Sequence, residues 1–258
     1  VNQNTKEMVI SAPRGEILDR YGKVLATNKQ VFTVTFNVSG MGTNDINRSA
    51  YSLVKLLEKN GDEYVDNFPI VFSENGEFKY TYDENRTKWL TSIGLSADAT
   101  CEDAFNKLRQ DYEIDPDRDR YDALEDMQET HGVWPPVNIR SMTFTYDSRK
   151  KAFLEKYGLD TDLTAEEAFN QLRKKYSLDE PLYEGEDVLS DGEVRKIFTV
   201  REEIKNIGYN KYRSSTIAGD VSDETVAYVE EMGDTLRGVE IASETVRVYP
   251  EGTLLSHA

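Results

Sequence analysis

From Gln30 to Val38 the chain alternates, with Phe32, Val34, Phe36 and Val38 on one side and Thr33, Thr35 and Asn37 on the other. A period of two predicts a half-buried strand, and the Gly40-Met41-Gly42 bend ends it. The period then lengthens. Ile46, Ala50, Leu53 and Leu57 fall on one face of a helix that Asn44 or Asp45 caps and Gly61 terminates. Phe68 to Phe72 and Glu77 to Tyr82 read as a hairpin around Asn75-Gly76. Val194, Ile197, Arg201 and Ile204 define a long helix started by Ser190 or Asp191 and stopped at Gly208. Strand-like residues follow from Tyr209 to Ala218. Ser222 then caps a helix carrying Val226 and Val229 and closed by Gly233, and a last strand opens at Val239 and Ile241. A short strand over Lys6 to Ile10 leads the chain in.

Between these elements the sequence repeats itself. Glu102 to Tyr112 recurs as Glu166 to Tyr176, and Trp89-Leu90 with Gly94-Leu95 is answered by Phe153-Leu154 with Gly158-Leu159 at the same offset. Two copies are too few for a solenoid. They predict a duplicated helical hairpin packed as a pseudo-symmetric pair, with Phe105, Leu108 and Tyr112 inward in one copy and Phe169, Leu172 and Tyr176 in the other.

One stretch concentrates turn signals and charge. In Ala12 to Ala26, Ile17-Leu18 and Val24-Leu25 can pair across Asp19-Arg20-Tyr21-Gly22, with Gly22 supplying the positive φ that a turn with a bulge needs. Pro13 and Gly15 bend the chain just before it. Arg14, Asp19 and Arg20 then crowd a small hairpin, which calls for an oppositely charged partner elsewhere.

Composition narrows the function classes. The 258 residues carry a net charge of −17, and the pI near 4.6 leaves no basic stripe for nucleic acid. One cysteine, Cys101, excludes an internal disulfide, and with only two histidines a thiolate zinc site is disfavoured; no cofactor or metal is expected. No run of eighteen apolar residues exists. The chain opens on Val1 rather than Met and stops at Ser256-His257-Ala258, which reads as a piece of something longer.

Several motifs invite chemistry and do not sustain it. Ser52-Leu53-Val54-Lys55 is formally the S-x-x-K of penicillin-interacting serine enzymes, but Ser148-Arg149-Lys150-Lys151 matches too, and neither S-D-N nor K-T-G follows. Asp115-Pro116-Asp117-Arg118-Asp119 starts like a calcium loop, yet position six is Arg120 rather than Gly and position twelve Asp126 rather than Glu. His131, beside Trp134-Pro135-Pro136, has no legible Ser and Asp around it. Gly40-Met41-Gly42 lacks the third glycine of a phosphate loop.

Two distant stretches together carry a family resemblance: Arg14-Gly15-Glu16-Ile17-Leu18-Asp19-Arg20-Tyr21-Gly22-Lys23-Val24-Leu25-Ala26, and Arg247-Val248-Tyr249-Pro250-Glu251-Gly252 followed by Ser256-His257. Ile217 to Ala227 and Leu236 to Ile241 fit the same pattern. The chain resembles the N-terminal non-catalytic region of class B penicillin-binding proteins, most like the elongation-type penicillin-binding protein 2 group. The resemblance implies an α+β fold, an elongated dimerisation-domain-like pedestal with a small sheet base and a helical head. Residues 1–43 would give the N-terminal base strands, 44–205 the inserted head, and 206–258 the returning base strands.

It further implies a single-pass membrane anchor before Val1 and a serine-type peptidoglycan D,D-transpeptidase domain after Ala258, at the extracytoplasmic face of a bacterial plasma membrane. Partners would be that transpeptidase domain, a membrane-embedded glycan polymerase and other elongation-complex proteins, and no nucleic acid. The fragment itself would carry no catalytic residue. Its structural and inter-domain residues would be Arg14, Gly15, Asp19, Arg20, Gly22, Arg247, Tyr249, Pro250 and Gly252.

From the residues alone, Arg247 and Tyr249 point one way in the last strand while Val246 and Val248 point to a buried face. Asp19 is then expected to pair with Arg247, or Arg14 with a neighbouring carboxylate, locking the two ends together. The rival reading is an independent extracellular module that recognises peptidoglycan or a surface protein through an aromatic-rich head, since fifteen Tyr are present. Their helix and strand spacing favours core packing over a sugar platform.

Overall fold

A computed structural model describes residues 15–208, 213–233 and 235–250. The strand expected over Lys6 to Ile10, the bend at Pro13, Arg14, the start of the Tyr209 to Ala218 stretch, and Glu251, Gly252 and Ser256-His257 lie outside the described residues.

In chain order the elements are β1 (Ile17–Leu18), β2 (Val24–Phe36), α1 (Thr43–Asn60), β3 (Ile70–Phe72), β4 (Phe78–Tyr80), α2 (Thr81–Ser92), α3 (Cys101–Asp111) and α4 (Arg120–Glu129). There follow β5 (Val137–Asn138), β6 (Thr143–Phe144), α5 (Thr145–Tyr157), α6 (Ala165–Lys175), α7 (Asp191–Ile207), β7 (Ser215–Ala218), α8 (Asp223–Glu231) and β8 (Val239–Val248). They form two compact units, one of residues 1–67 with 180–258 and one of residues 68–179. The division falls inside the span 44–205 expected as a head. Helices α1 and α7 belong with the sheet, because α7 packs on both α1 and β7.

The first unit is organised by β2. The hairpin strand and the alternating strand, read separately from the sequence, are one continuous strand of 13 residues. It pairs antiparallel with β1 (Ile17↔Ala26), β7 (Val34↔Ala218) and, over ten register pairs from Thr27↔Val248 to Phe36↔Val239, with β8. Val34 and Phe36 are buried as their alternation requires, but Val31 and Thr33 on the opposite face are buried too, so both faces of this half of the strand are covered.

Helix α1 begins two or three residues earlier than a polar cap at Asn44 or Asp45 predicts. Gly42, extended at φ −80°, is the N-cap without a side-chain bond, while Asp45 sits in the first turn, where its charge meets the helix dipole. Gly61 ends it in the left-handed conformation, as expected. Helix α7 starts with a full capping box in which the Ser190 side chain accepts from Glu193 N and the Glu193 carboxylate accepts from Ser190 N. Arg201 ties α7 to the start of α1, its Nε donating to Asn47 Oδ1 at 2.8 Å and an Nη to Thr43 O at 3.0 Å. Gly238 closes the approach to β8. At φ +81° it brings its carbonyl within 2.7 Å of Asn37 N, and an added Cβ would lie 2.3 Å from Asn37 O.

The second unit contains the repeat, and the repeat is larger than a helical hairpin. Each copy is a β-hairpin followed by two helices: β3, β4, α2, α3 and then β5, β6, α5, α6. The helix entries match, since Thr81 N donates to Pro69 O and Thr145 N to Pro136 O, both at 2.8 Å. Both second helices carry a threonine capping box, at Thr100 and Thr164. Phe105, Leu108, Phe169 and Leu172 are buried as expected, with Tyr112 and Tyr176 half-buried. The hairpins are shorter than their aromatic runs because Tyr80 and Phe144 lead straight into helices.

Each hairpin packs on the helices of the other copy. Phe68 meets Phe153 at 5.8 Å, while Phe72 and Phe78 meet Phe169 at 5.8 and 5.0 Å. In the other direction Val137 and Phe144 of the second hairpin join one core with Leu90, Phe105, Leu108 and Met127. Burying such aromatic and aliphatic side chains is worth about 1.5–3 kcal/mol each, so neither copy retains a core without its neighbour.

Candidate functional site

The residues of the two family-like stretches meet at one end of the β2 ladder. Asp19 is the pivot of the β1–β2 turn: its Oδ1 accepts from Tyr21 N at 2.8 Å and Lys23 N at 2.9 Å, while its own N–H and C=O bond Lys23 O and Gly22 N. Gly22 takes φ +81°, which the bulged turn requires. Arg20 folds back over the Tyr21 ring, 4.7 Å from its centroid. Thr27 Oγ1 donates to Glu16 Oε1 at 2.7 Å.

Asp19 and Arg247 do not form the expected ion pair. The Asp19 carboxylate is consumed by the turn, two residues from the hairpin tip, whereas Arg247 stands opposite Asn28 further down the ladder. Its Nη1 donates instead to Gly15 O at 2.6 Å and to Asn28 Oδ1 at 3.1 Å. The clasp between the two ends therefore exists, with a backbone carbonyl as its acceptor. Asn28 and Gly15 O were not legible as its partners: a carbonyl leaves no mark on residue type, and Asn28 acquires its role only through the register. Arg14, the alternative cation, and Gly252 lie outside the described residues.

The face assignment of the last strand also changes. Val246 is 38% exposed, while Arg247 is half-buried against Asn28. At this end the sheet shows Ile17 (47% exposed), Leu18 (51%), Tyr21 (78%), Val246 and Tyr249 (38% each). Pro250 continues it, exposed, just past β8.

The other candidate chemistries resolve into structure. Ser52 and Lys55 line an open cleft of about 590 Å³ with Tyr51, Tyr183, Glu186 and Glu193. Lys55 Nζ lies over the Tyr51 ring, 5.0 Å from its centroid. The Tyr51 hydroxyl donates to Glu193 Oε1 at 2.5 Å. Burial and then this bond hold the Tyr51 hydroxyl up at about 12, and the bonds from Tyr51 and Ser190 pull the Glu193 carboxyl down to about 2. In the calcium-like loop, the Pro116 and Arg118 carbonyls accept from the Arg109 guanidinium at 2.7 and 2.8 Å. Of the carboxylates that gave the loop its calcium-like pattern, Asp115 Oδ1 accepts from Asp117 N at 2.9 Å and Asp119 Oδ1 caps α4 by accepting from Tyr121 N at 2.8 Å. His131 stacks on Tyr112 with centroids 4.8 Å apart. Cys101 is buried in the core, and desolvation pushes its thiol to about 11, away from nucleophilic use. Among the described residues no group of His, Cys, Asp and Glu is placed to hold a metal ion.

The described residues form an α+β protein whose β8 is clasped, through Arg247, to the start of the β1–β2 hairpin. The sequence matches the penicillin-binding protein dimerisation domain over residues 9–258, and the chain belongs to that family. It is the non-catalytic dimerisation part of such proteins. Among solved structures it is similar to penicillin-binding protein 2B from Streptococcus pneumoniae strain 5204, at 16% identity and a TM-score of 0.34, over 93% of this chain and 26% of that one. For the same protein from strain R6 the identity is 15% and the TM-score 0.32, over 92% of this chain and 25% of that one. The chain thus spans about a quarter of the length of these proteins. No curated protein sequence matches. Among the described residues no helix is long and apolar enough to cross a membrane.

Proposed function

We propose that this chain is the extracytoplasmic pedestal of a membrane-anchored peptidoglycan D,D-transpeptidase, and that the clasped end of its sheet seats the transpeptidase domain of the same polypeptide. The observation that supports the reading is that large apolar side chains are exposed on each of the elements that meet at the Arg247 to Gly15 bond: Ile17, Leu18 and Tyr21 on the hairpin, Val246 and Tyr249 at the exit of β8. Exposed apolar side chains on adjoining elements suit a contact surface, and a following domain would continue the chain from β8.

The clasp makes that surface rigid. With Arg247 bonded to both Gly15 and Asn28, the hairpin cannot swing without breaking two hydrogen bonds of a charged group. Contacts with a membrane-embedded glycan polymerase and other elongation proteins fall to the rest of the surface. Trp134 and Tyr121, both large and exposed on the second unit, support a protein contact there.

Calorimetric titration of this chain with the separately expressed transpeptidase domain of its polypeptide tests the seat. Binding by the unaltered chain, lost in an Ile17→Asp/Leu18→Asp variant whose circular dichroism is unchanged, is expected. Equal binding by the variant, or none by the unaltered chain, overturns it. Fluorescent penicillin is expected to label the transpeptidase domain and leave this chain unlabelled.

A further inference from the structure

The repeat of the second unit makes two equivalent clefts. Residues of the first copy recur 64 positions on, so that Tyr80 is answered by Phe144, Asp83 by Asp147 and Thr100 by Thr164. One open cleft of about 600 Å³ is lined by Phe78, Tyr80 and Asp83 of the first copy with Lys150, Thr164 and Ala165 of the second. The other, of about 280 Å³, is lined by the same positions with the copies exchanged: Met142, Phe144 and Asp147 with Arg86, Thr100 and Cys101. Each cleft holds the same ion pair, Lys150 Nζ 3.1 Å from Asp83 Oδ2 and Arg86 Nη1 2.8 Å from Asp147 Oδ1. The cation of each pair lies over the hairpin ring, Lys150 over Tyr80 and Arg86 over Phe144. These shared groups pack the two copies together.

The clefts differ at the rim. Lys79 and Lys88 line the first, and the second copy has Thr143 and Ala152 at those positions. Both lysines are exposed. Among the described residues neither has an ion-pair or hydrogen-bond partner, although Glu84 lies one helical turn from Lys88. Elsewhere in this chain of net charge −17, Lys29, Lys107 and Lys196 are each held by a carboxylate. With Lys150 neutralised by Asp83, the first cleft presents two free ammonium groups against the Glu84 carboxylate, beside the apolar surface of Phe78 and Ala165. A simple anion would leave that apolar surface wet, and an anionic membrane would be repelled by the chain as a whole. A cleft of this size holds an apolar side chain together with its flanking peptide units.

We propose that the first cleft docks an acidic, extended segment of a partner protein, with an apolar side chain against Phe78 and Ala165 and flanking carboxylates on Lys79 and Lys88. The apolar contact holds the segment, and the two lysines select its charge and fix its register. The second cleft, smaller and with Thr143 and Ala152 in place of those lysines, does not take it. This adds to the proposed pedestal role the chemistry of one partner. It uses none of the residues of the transpeptidase seat, so either reading can fail without the other.

Random dodecapeptides displayed on phage are panned on the full chain, and the enriched peptides are synthesised and titrated by calorimetry. The control is the Lys79→Thr/Lys88→Ala variant, which installs the residues that the second copy already carries at the equivalent positions of the same fold. Its circular dichroism is compared with that of the unaltered chain, and Lys79→Gln/Lys88→Gln replaces it should it fold poorly. Three results are expected together: enriched peptides that combine carboxylates with an apolar residue, binding about tenfold weaker to the variant, and peptide-induced shifts of the Phe78 and Ala165 amide signals. Failure to enrich any peptide, enrichment of basic or uncharged ones, equal binding by the variant, or shifts confined to other residues overturns the proposal.

Discussion

The Tyr51 hydroxyl donates a 2.5 Å hydrogen bond to Glu193, the residue that also closes the capping box of α7. One carboxylate therefore serves both the start of α7 and the middle of α1. Its folded value near 2 lies below the ordinary 4.5, so the stability it contributes is complete above pH 4.5 and is lost as pH falls toward 2. Glu193 is partly exposed, and screening limits the contribution to about 1 kcal/mol. Tyr51→Phe is expected to remove that amount at pH 7 and to flatten the acid limb of a denaturation series between pH 4.5 and 2. An NMR titration of Glu193 that stays near 2 in the variant would contradict it.

The clasp separates two roles that the sequence appeared to join. Asp19 acts through its Oδ1 on the turn, and asparagine supplies the same acceptor. Asp19→Asn is therefore expected to leave the hairpin amides as protected from hydrogen exchange as in the unaltered chain, while Asp19→Ala loses about 1 kcal/mol locally. Arg247→Ala is expected to speed exchange in β1 and at the Thr27–Val248 end of the β2–β8 ladder, because Gly15 and Asn28 lose one donor together. Were Asp19→Asn as damaging as Arg247→Ala, an electrostatic link between the two would have to be restored.

Gly238 tolerates no side chain. Both its left-handed φ of +81° and the 2.3 Å approach of an added Cβ to Asn37 O oppose substitution, and the obstacle is backbone. Gly238→Ala is expected to cost about 3 kcal/mol, at the upper end of the range for strained backbone positions, read as a lowered urea midpoint. By contrast Gly22→Ala meets no atom within 4 Å and bears only the φ penalty, about 1 kcal/mol.

Phe169 contacts Phe68, Phe72 and Phe78. Phe169→Ala is expected to cost 3–5 kcal/mol, roughly the loss for a buried phenylalanine. Hydrogen exchange should rise in β3 and β4 more than in β5 and β6, although the latter are nearer in sequence. Phe105→Ala should give the mirror result through the core that holds Phe144. Loss of protection confined to the mutated copy's own hairpin would refute the crossed packing.

What the sequence disclosed was local. The β2 alternation, the stripes of α1 and α7, the Gly22 turn and the paired Phe105 and Phe169 helices all rest on spacings within a few turns of chain. Long-range outcomes were hidden for identifiable reasons. Crossed hairpins leave the repeat itself unchanged, so identical copies would read the same whether each packed on itself or on the other. Val246 alternates as a buried residue should, yet no described element covers it, and burial is decided by neighbours rather than by pattern. The unit boundary at residues 67 and 68 follows from α1 and α7 lying with the sheet, which no composition change marks. The pairing expected of Asp19 with Arg247 is replaced by a bond from Arg247 to Gly15 O, and a main-chain oxygen was beyond any reading of side chains.

The β2–β8 ladder also imposes a schedule. Strand β2 ends at Phe36 and its partner begins only at Val239, so during synthesis about two hundred residues emerge before the longest ladder can close. Contacts of such separation form late and slowly. Residues 81–144 are expected to meet first, since α2, α3, α4 and the second hairpin are contiguous and share a core. The first hairpin must wait for α6, and β2 must wait for β8. Until β8 emerges, β2 carries an unpaired strand edge, the kind of surface that chaperones cover in a nascent chain.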